Sequence, residues 1–237
     1  TDTVTDLTTN DVLVVSSGAT ANVTGVTSFT ATSSTTNGGS ATLTAASSGG
    51  TIDMTNSASG NYTIAGAAGV DTFTGGGGAD IITGSSGADS ITGGAGNDVI
   101  TGGADNDNLT GGSGNDTFNV DSGTDTITDL TTNDILIVTS GATANATNIS
   151  GFTATSSTTN AGTANLTTAS GGGSIDMANS VSGAYTLTGL SGNDTLKGNG
   201  TADTITSGGG LDTIDGRGGN DQIDAGAGDD TIIVSTA

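Results

Sequence analysis

A nine-residue period constrains this chain more than any other feature. From Gly66 the sequence reads GAAGVDTFT, GGGGADIIT, GSSGADSIT, GGAGNDVIT, GGADNDNLT, GGSGNDTFN and VDSGTDTIT. From Gly189 it reads GLSGNDTLK, GNGTADTIT, SGGGLDTID, GRGGNDQID and AGAGDDTII. These twelve segments, in blocks of seven and five, follow the pattern GGxGxDxUx, where U is a large apolar residue. A repeat this short cannot enclose a core of its own, so successive copies must stack and share one.

Each position of the nonamer has a physical reason. Glycine at positions 1, 2 and 4 admits left-handed or crowded backbone that a side chain would forbid. Such a turn directs carbonyl oxygens inward, and Asp at position 6 adds a short, hard carboxylate. Oxygen ligands on a flexible frame suit Ca²⁺, which accepts six to eight of them. Residues 7 to 9 then run as a very short strand with position 8 pointing inward. That position holds Phe73, Ile82, Ile91, Ile100, Leu109, Phe118 and Ile127, then Leu196, Ile205, Ile214, Ile223 and Ile232. Asp105 and Thr201 stand where glycine is usual and Leu190 follows Gly189 directly, so these turns depart from the pattern.

The recurring motif resembles the RTX (repeats-in-toxin, hemolysin-type) family of secreted bacterial calcium-binding proteins. That resemblance implies an all-β fold, a right-handed parallel β-roll or β-solenoid in which two nonamers form one coil and calcium ions sit between turns. The implied calcium carboxylates are Asp71, Asp80, Asp89, Asp98, Asp107, Asp116 and Asp125 in the first block. In the second they are Asp194, Asp203, Asp212, Asp221 and Asp230. Several ions, on the order of eight, would cancel most of the formal charge of −22. Without them, carboxylates stacked one coil apart repel, so the expected behaviour is unfolded without calcium and folded with it. Asp129 and Asp134, in the run after the first block, are candidates to close a last site.

Composition narrows the functions. All 24 acids are Asp, the only cations are Lys197 and Arg217, and the chain has no His, Cys, Glu, Trp or Pro. The usual proton shuttles, thiol nucleophiles and zinc ligands are therefore missing. Two cations cannot neutralise a phosphate backbone, which argues against nucleic acid as a partner. No run of about 18 apolar residues is available to insert in a membrane. H-E-x-x-H and G-x-S-x-G are absent and no base stands beside the many Ser and Thr, so an enzyme is not expected. The start, TDTVTDLTTN, carries no basic or apolar leader.

A second, longer repeat encloses the first. TDTVTDLTTNDVLVV at residues 1–15 returns as TDTITDLTTNDILIV at 124–138, and the offset of 123 holds through Phe29/Phe152, Met54/Met177 and Tyr62/Tyr185. About two-thirds of positions 1–74 are identical in the second copy. Four segments follow: 1–65 and 129–188, β-rich by their alternation of apolar residues with Thr or Asn, and the nonamer blocks 66–128 and 189–237, the latter with a C-terminal strand. The β-rich segments are expected to form wider coils of the same solenoid. The end of the second block is in phase with the start of the first copy. An excerpt of a longer array, or subunits that complete each other's coils, are the expectations.

These features resemble RTX-containing surface-layer proteins. They predict an extracellular, secreted structural protein that assembles with itself, head to tail or in a lattice, with cell-surface polysaccharide a candidate anchor. Export by type I secretion is implied, and TIIVSTA is a weak match to its C-terminal signal. The alternatives are an adhesin stalk or an ice-binding module built on the Thr74, Thr83, Thr92, Thr101 and Thr110 array.

Overall fold

A computed structural model describes residues 1–235; the last two residues of TIIVSTA lie outside the described residues. The described residues contain strands and turns and no helix. The chain divides into two compact units, residues 1–123 and 124–237, a division that falls inside the seventh nonamer. Within each unit every strand pairing is parallel, so the chain advances by coils and not by hairpins. Each unit is a β-solenoid.

In the first unit one sheet contains Thr20–Val26, Ser40–Ala45, Tyr62–Ala65, Ile81–Ser86, Val99–Ala104 and Thr117–Val120. The other contains Ser28–Thr30, Thr51–Asp53, Thr72–Gly76, Ser90–Ala95 and Asn108–Ser113. Strand register stacks the inward residues directly. Val23, Leu43, Ile64, Ile82, Ile100 and Phe118 form one row, each at most 1% exposed. Phe29, Ile52, Phe73, Ile91 and Leu109 form the other. Burying such a side chain contributes roughly 1.5–3 kcal/mol, and the two rows are the main store of apolar burial in a chain with few aromatics.

The second unit repeats this plan, with Ala146, Leu166, Leu187, Ile205 and Ile223 in one row and Phe152, Ile175, Leu196, Ile214 and Ile232 in the other. Position 8 is therefore inward as expected up to Ile214. Ile223 is half-buried and Ile232 is 49% exposed.

The β-rich segments are wider coils of the same solenoid. Ile81 pairs with Val99, eighteen residues on, whereas Ala21 pairs with Ala41 and Ser28 with Thr51, twenty and twenty-three on. The extra residues fold into turns closed by side chains of the wide coils themselves. Buried Asn37 donates from Nδ2 to the Asn61 carbonyl and accepts at Oδ1 from Gly39 N–H. Tyr62 and Ser57 hydroxyls lie 2.6 Å apart, and Tyr185 and Ser180 repeat the contact.

Candidate metal centre

The nonamer turns place their backbone where the glycines demand it. At position 1 the demand is for space. A Cβ on Gly75 would fall against Asp80 Oδ2 and the Gly93 carbonyl, and one on Gly84 against Asp89 Oδ2 and the Gly102 carbonyl. Position 2 needs instead a left-handed backbone, as at Gly94 (φ 114°). Ser85 and Arg217 occupy the same position with φ of 83° and 65°. Asp105, at position 4, sits at φ 81°, so the departure from glycine is met by a strained backbone. Its Oδ2 accepts from Gly87 N–H, one coil back.

Ten of the twelve implied carboxylates are buried: Asp71, Asp80, Asp89, Asp98, Asp107, Asp116, Asp125, Asp194, Asp203 and Asp212. Asp221 and Asp230 are half-buried. The structure strings them into ladders that the sequence reading missed. Along them Oδ1 accepts from a backbone N–H one coil earlier: Asp89 from Asp71, Asp98 from Asp80, Asp107 from Asp89 and Asp116 from Asp98, at 2.7–2.9 Å. Asp194, Asp203 and Asp212 supply the same N–H to Asp212, Asp221 and Asp230 at 2.8–3.0 Å. Asp71, Asp80, Asp194 and Asp203 accept from Gly50, Tyr62, Gly173 and Tyr185 and so tie the first nonamer coils to the wide ones. Asn at position 5 makes a parallel ladder, with Asn97 and Asn193 accepting from Asn115 and Leu211 N–H. The spacing of 18 between like residues was the available signal for both.

The second carboxylate oxygen is left for something else. Oδ2 of Asp80, Asp89, Asp98, Asp194 and Asp212 is buried and accepts no hydrogen bond within the described residues. A buried, unsolvated carboxylate is costly. Burial accordingly pushes the Asp80 carboxyl up to about 7 against the help of Tyr62 N–H, with the Asp98 charge adding to the rise. Burial raises Asp89 to about 6, and it raises Asp71, Asp98, Asp107 and Asp203 as well.

The profile of the RTX calcium-binding nonapeptide repeat matches residues 58–91, 83–118, 92–127, 182–214 and 198–232. Those segments together span half of the chain. The chain belongs to the RTX calcium-binding repeat family. No curated protein matches it significantly.

RTX repeats bind calcium, and the residues here fit that ion. The orphaned oxygens are hard, and around the space that a Cβ on Gly66, Gly75, Gly84, Gly93 or Gly189 would fill, an Asp Oδ2 meets a carbonyl from the next coil. Among the described residues no three acidic side chains converge on one point. Gly216 meets Asp221 but no carbonyl of a further coil. Asp134, expected to help close a last site, is buried with Oδ2 already accepting from Thr131 N–H and Oγ at 2.7 and 2.9 Å, as Asp11 does from Thr8. In both copies this carboxylate closes a local turn.

Proposed function

We propose that this RTX protein is a secreted structural protein that folds on meeting calcium outside the cell and assembles with copies of itself into a surface layer or filament. The observation that carries the calcium half is the row of buried Asp Oδ2 atoms facing next-coil carbonyls. The nonamer carboxylates whose second oxygen has no partner, such as Asp80, Asp89, Asp98, Asp194 and Asp212, hold the ions, and the wide coils of each unit carry its core onward. When bound, calcium supplies the positive charge that the orphaned oxygens lack. The protein contributes Oδ1 ladders that fix each carboxylate and glycines that bring carbonyls close. Low calcium before export keeps the nonamer coils unfolded, and abundant calcium afterwards folds them onto the wide ones.

Assembly is supported by the regularity of the surface. Outward rows repeat in register coil after coil, as with Thr74, Thr92 and Thr110, and apolar Ile81 stands exposed beside Val99. A structural role draws on both the stacked carboxylates and the repeating surface. Cell-surface polysaccharide is the partner proposed for anchoring. The in-register Thr rows also favour a second reading, ice binding, which thermal hysteresis in a calcium-loaded sample would test.

Calcium titration followed by circular dichroism and negative-stain microscopy tests the main reading. The expected result is a calcium-dependent gain of β signal, then filaments or sheets. Monodisperse monomers at high protein and calcium would refute assembly.

A further inference from the structure

The two copies contain one hexapeptide in two forms, GGGGAD at residues 75–80 and GNGTAD at residues 198–203. The first leaves Asp80 Oδ2 buried without a partner. In the second, Asp203 Oδ2 accepts from Asn199 N–H at 2.9 Å. Asn199, 2% exposed, donates from Nδ2 to the Gly183 carbonyl at 2.9 Å and accepts at Oδ1 from Thr201 N–H at 2.9 Å. The Thr201 hydroxyl is 2.8 Å from both the Gly183 carbonyl and Asn199 Oδ1. The backbone differs as well: Gly76 is left-handed at φ 116°, whereas its counterpart Asn199 is not among the positive-φ residues. The neighbouring coil has changed to match, because Asn61, whose Oδ1 accepts from Ala79 N–H in the first copy, is Ala184 in the second.

We propose that the Asp203 turn is closed by protein donors in place of calcium, so that Asp80 takes an ion and Asp203 takes none. It rests on the calcium reading of the nonamer carboxylates given above. Asp203 keeps the Oδ1 bond from Tyr185 N–H that Asp80 has from Tyr62, and its second oxygen is satisfied by an amide. Both turns offer a next-coil carbonyl, Gly216 across Gly198 and Gly93 across Gly75. An ion at Asp203, however, would have to displace the Asn199 N–H and disturb the Asn199–Thr201–Gly183 network, whereas at Asp80 it would meet an unpartnered oxygen. The turn gives the second unit a coil that closes before calcium arrives, on which the calcium-dependent turns above it stack.

Native mass spectrometry of the full chain at saturating calcium counts the ions, and thermal melting in chelator reads the ion-free fold. Asp80→Asn is expected to carry one ion fewer than the unaltered chain. Asp203→Asn is expected to keep the full count yet melt lower in chelator, because an amide cannot accept from both Tyr185 and Asn199. Asn199→Gly with Thr201→Gly, which recreates GGGGAD, is expected to gain one ion and to lose it again when Asp203→Asn is added. If Asp80→Asn does not fold, the Asp203→Asn and double-glycine counts decide alone. A folded Asp203→Asn chain carrying one ion fewer, or a double-glycine chain with an unchanged count, overturns this inference and leaves the calcium reading intact. An unaltered chain that binds no calcium overturns both.

Discussion

Within the first unit, the coils over residues 20–65 and those over residues 66–119 share two unbroken apolar rows yet close their turns by opposite means. The turns of the wide coils find their partners within the chain: Asn37 bridges Asn61 and Gly39, Asp53 Oδ1 accepts from Thr55 N–H, and Ser57 meets Tyr62. Those turns are satisfied within the chain, and they need up to five residues more per coil. The nonamer coils strip the turn to glycine and one carboxylate, and they leave an oxygen buried without a partner. On the calcium reading proposed above, that brevity relies on an ion, and calcium dependence belongs to one kind of turn and not to the solenoid core.

That contrast can be broken most severely at Gly75. Gly75→Ala puts a methyl group against Asp80 Oδ2 and the Gly93 carbonyl and is expected to cost about 3 kcal/mol, with loss of one calcium ion. Gly77→Ala, two residues on, meets nothing and should be nearly neutral. Melting temperatures in calcium check both, and equal effects would contradict the role given to position 1.

A pH series in chelator comes next. The Asp80 and Asp89 carboxyls are raised in the fold to about 7 and about 6 from an ordinary 3.8. The ion-free fold therefore binds protons more tightly than the unfolded chain. Its stability is highest below the ordinary carboxylate range and is lost as pH rises through 6 and 7. Circular dichroism of the calcium-free chain should gain β signal on acidification from neutral pH to about pH 4, mainly from the nonamer coils. A flat profile would contradict the burial of these charges.

The smallest effect lies in a wide coil. Thr168 is fully buried with an unpartnered hydroxyl where the first copy has Ala45. Thr168→Ala should be neutral or stabilising by up to about 1 kcal/mol, independent of calcium, as read from denaturant midpoints with and without the ion.

How much could be read beforehand follows the same divide. In the nonamers a strict period fixes register, so Ile82, Ile100 and Phe118 could be assigned to the core, and the Asp row to a shared edge, from spacing alone. The wide coils hid their register because their lengths vary and because they bury polar residues such as Thr35, Asn37, Thr158 and Asn160. Register also shifts between Val23 and Val26 and between Ala146 and Ile149, next to left-handed Gly25 and Asn148. At the site, Asp at position 6 was legible as a carboxylate recurring once per turn, and ten of the twelve are buried. The Oδ1 bond to the preceding coil was not legible, because only stacked coordinates bring Asp71 N–H to Asp89. The turn that Asp134 closes with Thr131 was equally hidden, because it depends on local backbone and not on the period.

Residue-resolved hydrogen exchange of the full chain, in calcium and then in chelator at neutral pH, tests the central claim most directly. The account predicts that calcium removal abolishes protection in Ile81–Ser86, Ser90–Ala95 and Val99–Ala104, while Thr20–Val26 and Ser40–Ala45 retain a measurable part of theirs. Protection in the nonamer strands that survives chelation undiminished would contradict it.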